Sequence, residues 1–511
     1  MVVSLLTSLG EDVLVDVVSF LEPPDISRLA QTCKLLHRIA SIRLVWVHAS
    51  KSHVILRGFP FPEVPLDGIP TRELIAAAKR GFGLGRRWRS GMASLQTVYD
   101  ISGFSGPDVR FISGHGGRLL AMISKSVWYV LSVWDISDGT RPRKVCEWGL
   151  RGGIFTGVML NSDGQSPATI AVSLHLNEKQ FVKILGLHHT DDHGYVLTQL
   201  YSVDTAMVPV TLAGDVLALG DSVSRTMIWN WKKGTHALLE HPPEDTMILQ
   251  SNKCIQVVLV HQSILVARAR SLHLFPFPHL TSPINAPPPV YQPIAHHSFG
   301  WVDGQCMKIC PLLDTAVTTP NFDQGHIPIH PISILVRGEV DDPWASTTHN
   351  LELYTLYPNP EFSVDSTSTA PPYQFPPRLS HTVASLRGSL QCKAVLLGSL
   401  GTALWVQPRD HFESGLLADG QQLVELPNRS ASCETLMAAV FPGSLSGAKA
   451  TRGDQRSEAH LNEEGGKVTA VVGTKIYENQ AGSSWSSIDY DEAGGRVALG
   501  SSFGPVQILY L

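Results

Sequence analysis

Apolar residues change their spacing once along this chain. From residue 9 to about 50 they recur at helical intervals; from about 96 onward they come in short runs broken by turn residues. In "LGEDVLVDVVSFLEPPDISRLAQTCKLLHRIASIRLVWVHAS" (9–50), Val13, Leu14, Val17, Val18 and Leu21 fall at i, i+1, i+4, i+5 and i+8, which places them on one face of a helix. Ser8 and Glu11 have the spacing of a capping box at its start, and Pro23-Pro24 mark its expected end. Asp25 then stands where an N-cap belongs, with Ile26, Leu29, Ala30, Cys33 and Leu36 as the stripe of a second helix, and a last short turn carries Leu44 and Trp46. Valine costs a few tenths of a kcal/mol against alanine in a helix, while burying each such side chain returns about 1.5 kcal/mol or more. A stretch of about 40 residues rarely buries enough surface to fold alone. These helices therefore need a surface to pack on, either the region that follows or another protein.

A Pro-rich segment, "FPFPEVPLDGIP" (59–70), reads as an extended linker. After it "TRELIAAAKRG" predicts a short helix with Thr71 as N-cap and Gly81 as stop. The rest of the chain repeats one theme: two strands joined by a short turn, at 118–137, 168–189, 215–231, 263–277, 332–358, 393–408 and 496–511. The early hairpins lie about 40 to 50 residues apart, room for four strands each, and that period predicts a β-propeller. Inner strands such as "DVLALG" and "RVALGS" are apolar almost without alternation, as expected for strands covered on both faces. The last unit supplies three strands, and "QTVYDIS" (96–102) is a lone strand ahead of the first unit. It is expected to complete the last blade, placing Val98 beside Ile508, because an open ring would leave a bare sheet edge. Insertions at 276–293, 358–377 and 441–466 read as surface loops or disorder.

Composition narrows the function. The net charge of −5 gives no overall pull toward nucleic acid or an anionic membrane, and no stretch reaches the roughly 20 apolar residues of a membrane span. The seven cysteines are odd in number and scattered, which predicts no disulfide framework and points to a reducing cytoplasmic or nuclear setting. "KRGFGLGRRWRS" (79–90) combines alternating glycines with five basic residues, but no strand precedes it and the phosphate-loop lysine spacing is absent, so it reads as a solvated linker. "HHTDDHG" (188–194) gathers metal-ligating residue types where a polar turn is expected anyway. "CMKIC" (306–310) lacks a second cysteine pair, and "RGD" (452–454) falls in an insertion. No nucleophile elbow and no H-E-x-x-H helix occurs. No catalytic, cofactor or metal residues are assigned.

The N-terminal residues carry a resemblance. Leu9, Val13, Leu14, Val17, Val18, Leu21, Asp25, Ile26, Leu29, Cys33, Lys34 and Trp46 match in register the pattern of an F-box, with Gly10 standing where that family usually has proline. The resemblance covers about 42 residues. It implies a helical module that docks on the adaptor subunit of an SCF-type cullin-RING ubiquitin ligase, and through it on a cullin. The implied adaptor-binding residues are Leu9, Val13, Leu14, Val17, Val18, Leu21, Pro24, Ile26 and Leu29. "SGHGGRLL" followed by "WDIS" (Gly114-His115, then Trp134-Asp135) resembles one WD repeat, and no other hairpin keeps that signature. The expected protein is mainly β: an all-α F-box at 4–50, a Pro-rich linker and short helix at 51–95, and a seven-bladed propeller at 96–511. Its expected role is that of a non-enzymatic substrate receptor binding an unidentified protein target. The alternative is an interaction scaffold whose F-box has decayed, with Gly10 as the feature that favours it. A propeller enzyme or RNA-binding propeller would need convergent polar residues in the channel or a basic face.

Overall fold

The computed structural model describes all residues except 1–8, 56, 58, 63–65, 90–96, 102–107, 126–128, 139–140, 191–193, 242–251, 261–262, 282–287, 301, 303–307, 312–330, 339–347, 363–369, 389, 399–400, 410–433, 442–467, 481–482, 502 and 504. Four short helices open the chain: α1 (Glu11–Ser19), α2 (Pro23–Leu29), α3 (Lys34–Ala40) and α4 (Arg43–Ala49). The boundaries differ from the expected ones in three places. Gly10, in extended conformation, is the N-cap of α1, and Ser8 lies outside the described residues. Pro23 and Pro24 start α2 instead of ending α1, with Glu22 as N-cap and Asp25 inside the first turn. There the missing N–H of proline costs nothing. The stripe from Ile26 to Leu36 is broken in two, because Thr32 turns its hydroxyl back onto the Leu29 carbonyl (2.7 Å) and Cys33 becomes the N-cap of α3.

The expected linker is part of this module. A π-helical turn (Ser50–Ile55) continues from α4, and after a short 3-10 turn α5 runs unbroken from Thr71 to Arg89, through Gly81, Gly83 and Gly85. Arg43 fastens the intervening turn by donating to the carbonyls of Ile69 and Leu66 (2.6 Å each). Phe59, Leu66, Ile69, Leu74, Ala78 and Phe82 share one core with Leu14, Val18, Ile26, Ile39 and Val45. Two of the glycines answer the phosphate-loop question. A Cβ on Gly81 would run into the Pro60 carbonyl and one on Gly85 into the Phe59 ring, whereas Gly83 faces open space. Gly81 and Gly85 are therefore where the Pro-rich segment presses on the helix backbone.

The remaining strands form seven sheets, the blades of a β-propeller. Blade 1 consists of Asp108–Phe111, Leu119–Lys125, Tyr129–Asp135 and Arg143–Trp148. Blades 2 to 6 span 154–204, 208–240, 254–298, 308–386 and 395–478. Blade 7 takes Trp485–Asp491, Arg496–Ser501 and Val506–Tyr510 and is completed on its outer edge by Thr97–Ile101. The register sets Val98 against Leu509 and Tyr99 against Ile508, which is the closure the lone strand implied. Gln507 adds a side-chain bond across this seam, donating to Asp100 (3.1 Å), while it accepts from Trp485 Nε1 (3.2 Å) within blade 7. Arg496 bridges blade 7 to blade 1 by donating to the Gly116 carbonyl (2.7 Å) while paired with Asp491.

The first strand of each blade lies innermost, where its N–H groups have no ladder partner on the axial side. Side chains of neighbouring blades fill that role. Ser487 and Asp489 accept from the backbone of Val109 and Phe111, Thr211 from Val257, and Gln256 from Ile309. At these three seams a blade supplies a side-chain oxygen to the backbone of the next one.

Two expectations about the β region are corrected. The hairpin at 393–408 holds the first and second strands of blade 6 (Val395–Leu397 and Thr402–Pro408), where the other hairpins are second and third. The third strand, Glu434–Val440, follows only after the long segment 409–433. Nor are the insertions merely surface loops where they are described. Val290–Tyr291, from the first, adds a fifth, parallel strand to blade 3. The second carries Tyr373, which is 2 % exposed and packs into the core shared by blades 4 and 5. Beyond the third, Thr469–Ala470 does for blade 5 what Val290–Tyr291 does for blade 3, covering an outer edge.

The packing around α5 and within blade 4 can each be tested. Gly83→Ala should raise stability by up to about 1 kcal/mol through helix propensity alone, while Gly85→Ala should lower it by forcing Phe59 away; denaturant unfolding of the two variants should move in opposite directions. In blade 4 the residue to probe is His273, buried with its ring stacked on that of His241 at 4.2 Å and on that of His296 at 6.2 Å. Burial above all, then the charges of His241, Arg268 and His296, hold its pKa down to about 3. In the unfolded chain the imidazole protonates near 6.5, so its contribution is intact above that pH and is lost as pH falls from there toward 3. The loss is at most about 1.4 kcal/mol per pH unit. His273→Phe should accordingly flatten the decline in stability between pH 6.5 and 4.5 relative to the unsubstituted chain.

Candidate functional site

Helix α1 carries apolar residues on more than half of its circumference, and the structure divides them into two adjacent stripes. Leu14 and Val18 are fully buried, together with Ile26 from α2, and form the centre of the helical module. Leu9, Val13 and Val17, one step around, remain 42–44 % exposed, and Phe20, the next residue on that line, is 81 % exposed. The spacing i, i+4, i+8 and i+11 makes a continuous apolar ridge over three turns. Exposed Asp12 and Asp16 lie beside it, and Leu44 on α4, a helix that packs against α1, is also half exposed.

This partition corrects part of the sequence-based site. Leu14, Val18 and Ile26 belong to the interior and are out of reach of a partner. Leu21 and Leu29 are partly buried against the same core, and Pro24 is half-buried in the first turn of α2. Leu9, Val13 and Val17 are where an incoming surface could touch them. Phe20 is the residue that the sequence reading misses, though Val17 to Phe20 is a plain i+3 step; treating all the valines as one face conceals it. Trp46, the late tryptophan of the motif, is buried and donates its Nε1–H to the Ala40 carbonyl (2.6 Å), locking α4 onto the end of α3.

Among the described residues, the other features singled out in the sequence do not assemble a chemical site. His189 packs edge-on against Tyr195 (ring centroids 4.9 Å apart), and residues 191–193 of "HHTDDHG" lie outside the described residues. So do Cys306 of "CMKIC" and the whole of "RGD". Among the described residues no group of three His, Cys, Asp or Glu side chains is arranged to hold a metal ion, and no helix is long and apolar enough to cross a membrane. Asp135 of the "WD" dipeptide is structural: it takes a forked pair of bonds from Arg118 and one from the Ser137 N–H, and Arg118 holds its carboxyl far below the ordinary range.

The ridge is joined to the propeller through α5. Its first half, with Leu74, Ala78 and Phe82, is part of the helical core, and its second half, with Leu84 and Trp88, is part of the core of blades 6 and 7. Leu84 sits against Gly495 and Trp88 edge-on to Tyr490 (6.4 Å), both on blade 7. The helical module thus meets the propeller where α5 reaches it, at the Asp491–Arg496 turn. That turn joins the first and second strands of blade 7, and the opposite side carries the turns between second and third strands, such as Asn177-Glu178 with its positive φ values.

Comparison with known proteins agrees with this division. The F-box-like family matches residues 6–52. Among solved structures, the β-propeller domain of Myceliophteria thermophila Cps50 (Swd1) is similar at 10 % identity, covering 82 % of this chain and 99 % of that one, with a TM-score of 0.42. The C-terminal WD40 domain of Sif2 is similar at 8 % identity with the same coverages and a TM-score of 0.41. The WD40 domain of SCAP from fission yeast is similar at 8 % identity over 77 % of this chain and 82 % of that one, with a TM-score of 0.35. No curated protein matches the chain significantly. A helical module matching the F-box-like family over residues 6–52, followed by a seven-bladed β-propeller, is thus the organisation of this protein.

The two stripes of α1 should respond oppositely to charge. Leu14→Asp places an unpaired carboxylate in the core at a cost of several kcal/mol and should unfold the helical module. Val13→Asp should leave the thermal unfolding profile close to unchanged.

Proposed function

We propose that this protein is the substrate-recognition subunit of an SCF-type cullin-RING ubiquitin ligase. The F-box-like domain docks on the adaptor, and through it on a cullin, while the propeller binds a protein target and itself performs no catalysis. The observation that carries this reading is the ridge of Leu9, Val13, Val17 and Phe20, left uncovered on a module whose own core is complete. Fully burying an exposed side chain of this kind returns about 1.5–3 kcal/mol, so covering Phe20 and the exposed part of Leu9, Val13 and Val17 would favour an interface here. The residues taken as adaptor contacts are therefore Leu9, Val13, Val17 and Phe20, with half-buried Leu21, Pro24 and Leu29 at the margin. Gly10 serves adequately as N-cap of α1, since its extended φ of −60° and ψ of 151° is the conformation that position needs. This removes the main support for a decayed, scaffold-only module. The target is assigned to the propeller face away from α5, since the other is partly occupied by the helical module.

The test uses full-length protein carrying Val13→Asp and Val17→Asp. Adaptor binding should fall at least about tenfold, the effect of roughly 1.4 kcal/mol, with unfolding unchanged. In cells this variant should hold the target without delivering it, so the target's half-life should lengthen. Retention of adaptor binding by the double variant would refute the docking assignment. A target whose turnover is indifferent to the variant would favour the scaffold reading.

A further inference from the structure

Helix α5 has an outer face that neither core uses. Its sequence carries Arg72, Lys79, Arg80, Arg86, Arg87 and Arg89 against Glu73 alone, in a chain whose net charge is −5. Arg72, Lys79, Arg80 and Arg86 are exposed. None of these four takes part in a salt bridge among the described residues. Two are held in place by aromatic rings instead. The Lys79 ammonium lies over the Trp46 ring at 5.4 Å and the Arg86 guanidinium over the Phe82 ring at 5.8 Å. Such contacts fix the position of a cation without neutralising it.

The spacing is regular. Arg72, Lys79 and Arg86 recur every seven residues, about 10.5 Å apart along one line of the helix. Between them stand Ala76, exposed, and Gly83, which has open space where a side chain would be. The face is a shallow, small-residue track with a cation at each repeat, two of them held by aromatic rings. A second helix can lie close along such a track, and one bearing carboxylates every seventh residue would place each against a cation.

We infer that the outer face of α5 is a docking surface for an acidic α-helix of a partner protein, separate from the ridge on α1. Three features favour this occupant over nucleic acid or a lipid surface. Trp88, the aromatic residue of the basic segment, is 4 % exposed and cannot stack on a base. The face offers Ala76 and Gly83 in place of large apolar side chains that could enter a bilayer. The cation interval is that of a helical heptad. The inference does not depend on the ubiquitin-ligase reading, because it uses neither α1 nor the propeller.

The probe is a labelled helical peptide of about 20 residues, built on alanine and glutamine with glutamate at every seventh position. Binding to the full-length chain is followed by fluorescence anisotropy at low salt. A control peptide of the same charge carries two central prolines. The helical probe should bind at least about tenfold more tightly than the broken one. Combined Arg72→Glu, Lys79→Glu and Arg86→Glu should abolish that preference while the chain keeps a single cooperative thermal unfolding transition, shifted only by the loss of the two ring contacts. Gly83→Leu, which fills the track without altering charge and favours the helix, should weaken the probe at least about fivefold. Equal binding of both peptides, or indifference to Gly83→Leu, would overturn the inference by reducing the effect to net charge. So would tighter binding to phosphatidylserine vesicles or to a DNA duplex that the triple reversal abolishes.

Discussion

The arrangement of the whole molecule depends on one helix sharing two hydrophobic cores. Leu74, Ala78 and Phe82 are interior residues of the helical module, and Leu84 and Trp88, less than two turns further on, are interior residues of the propeller. A helix of 19 residues is about 28 Å long and can rotate at neither end without withdrawing a large side chain from a packed site. The Pro-rich segment adds to this constraint by pressing Phe59 and Pro60 onto the glycines at its centre. The two parts are therefore held at a fixed angle.

The propeller depends on a different solution to a related problem. Each blade is a sheet with two edges, and a sheet edge needs partners. At the inner edge the partners are side chains of Thr211, Gln256, Ser487 and Asp489, each serving a neighbour's backbone. At the outer edge two blades gain a short parallel strand from the insertion of the blade that follows. The polar residues on the apolar inner strands thus hold adjacent blades together. The loops can then vary without disturbing the ring, as loops on rigid scaffolds generally do.

Much of this was legible in the sequence, for identifiable reasons. The F-box-like start can be read because its residues match a pattern in register, and the ring closure because a strand without a hairpin mate faces a blade with one strand missing. The features on which the sequence misleads share a cause: local signals overridden by tertiary contacts. Gly81 reads as a helix stop by propensity, but contact with Pro60 and burial of Phe82 carry the helix through it. Val13 and Val17 cannot be told from Leu14 and Val18 by periodicity when a helix is apolar on more than half of its surface; only the position of α2 and α4 decides which stripe is inside. The pairing of the second and third strands of blade 6 is hidden because residues 409–433 separate strands that are adjacent in space.

The closing strand also imposes an order in time. Thr97–Ile101 is made early, yet its partner, Val506–Tyr510, is about 400 residues away; at roughly 5–20 residues per second the ribosome needs about 20–80 s to supply it. During that interval α5 has emerged with Leu84 and Trp88 uncovered, since the blade 7 residues they pack against do not yet exist. The helical module can gather its own core from residues up to Phe82, but its attachment to the propeller waits until blade 7 has been made. A nascent chain of this design therefore presents the ridge on α1 before its propeller ring has closed, and exposes apolar surface at the junction for chaperones to cover meanwhile.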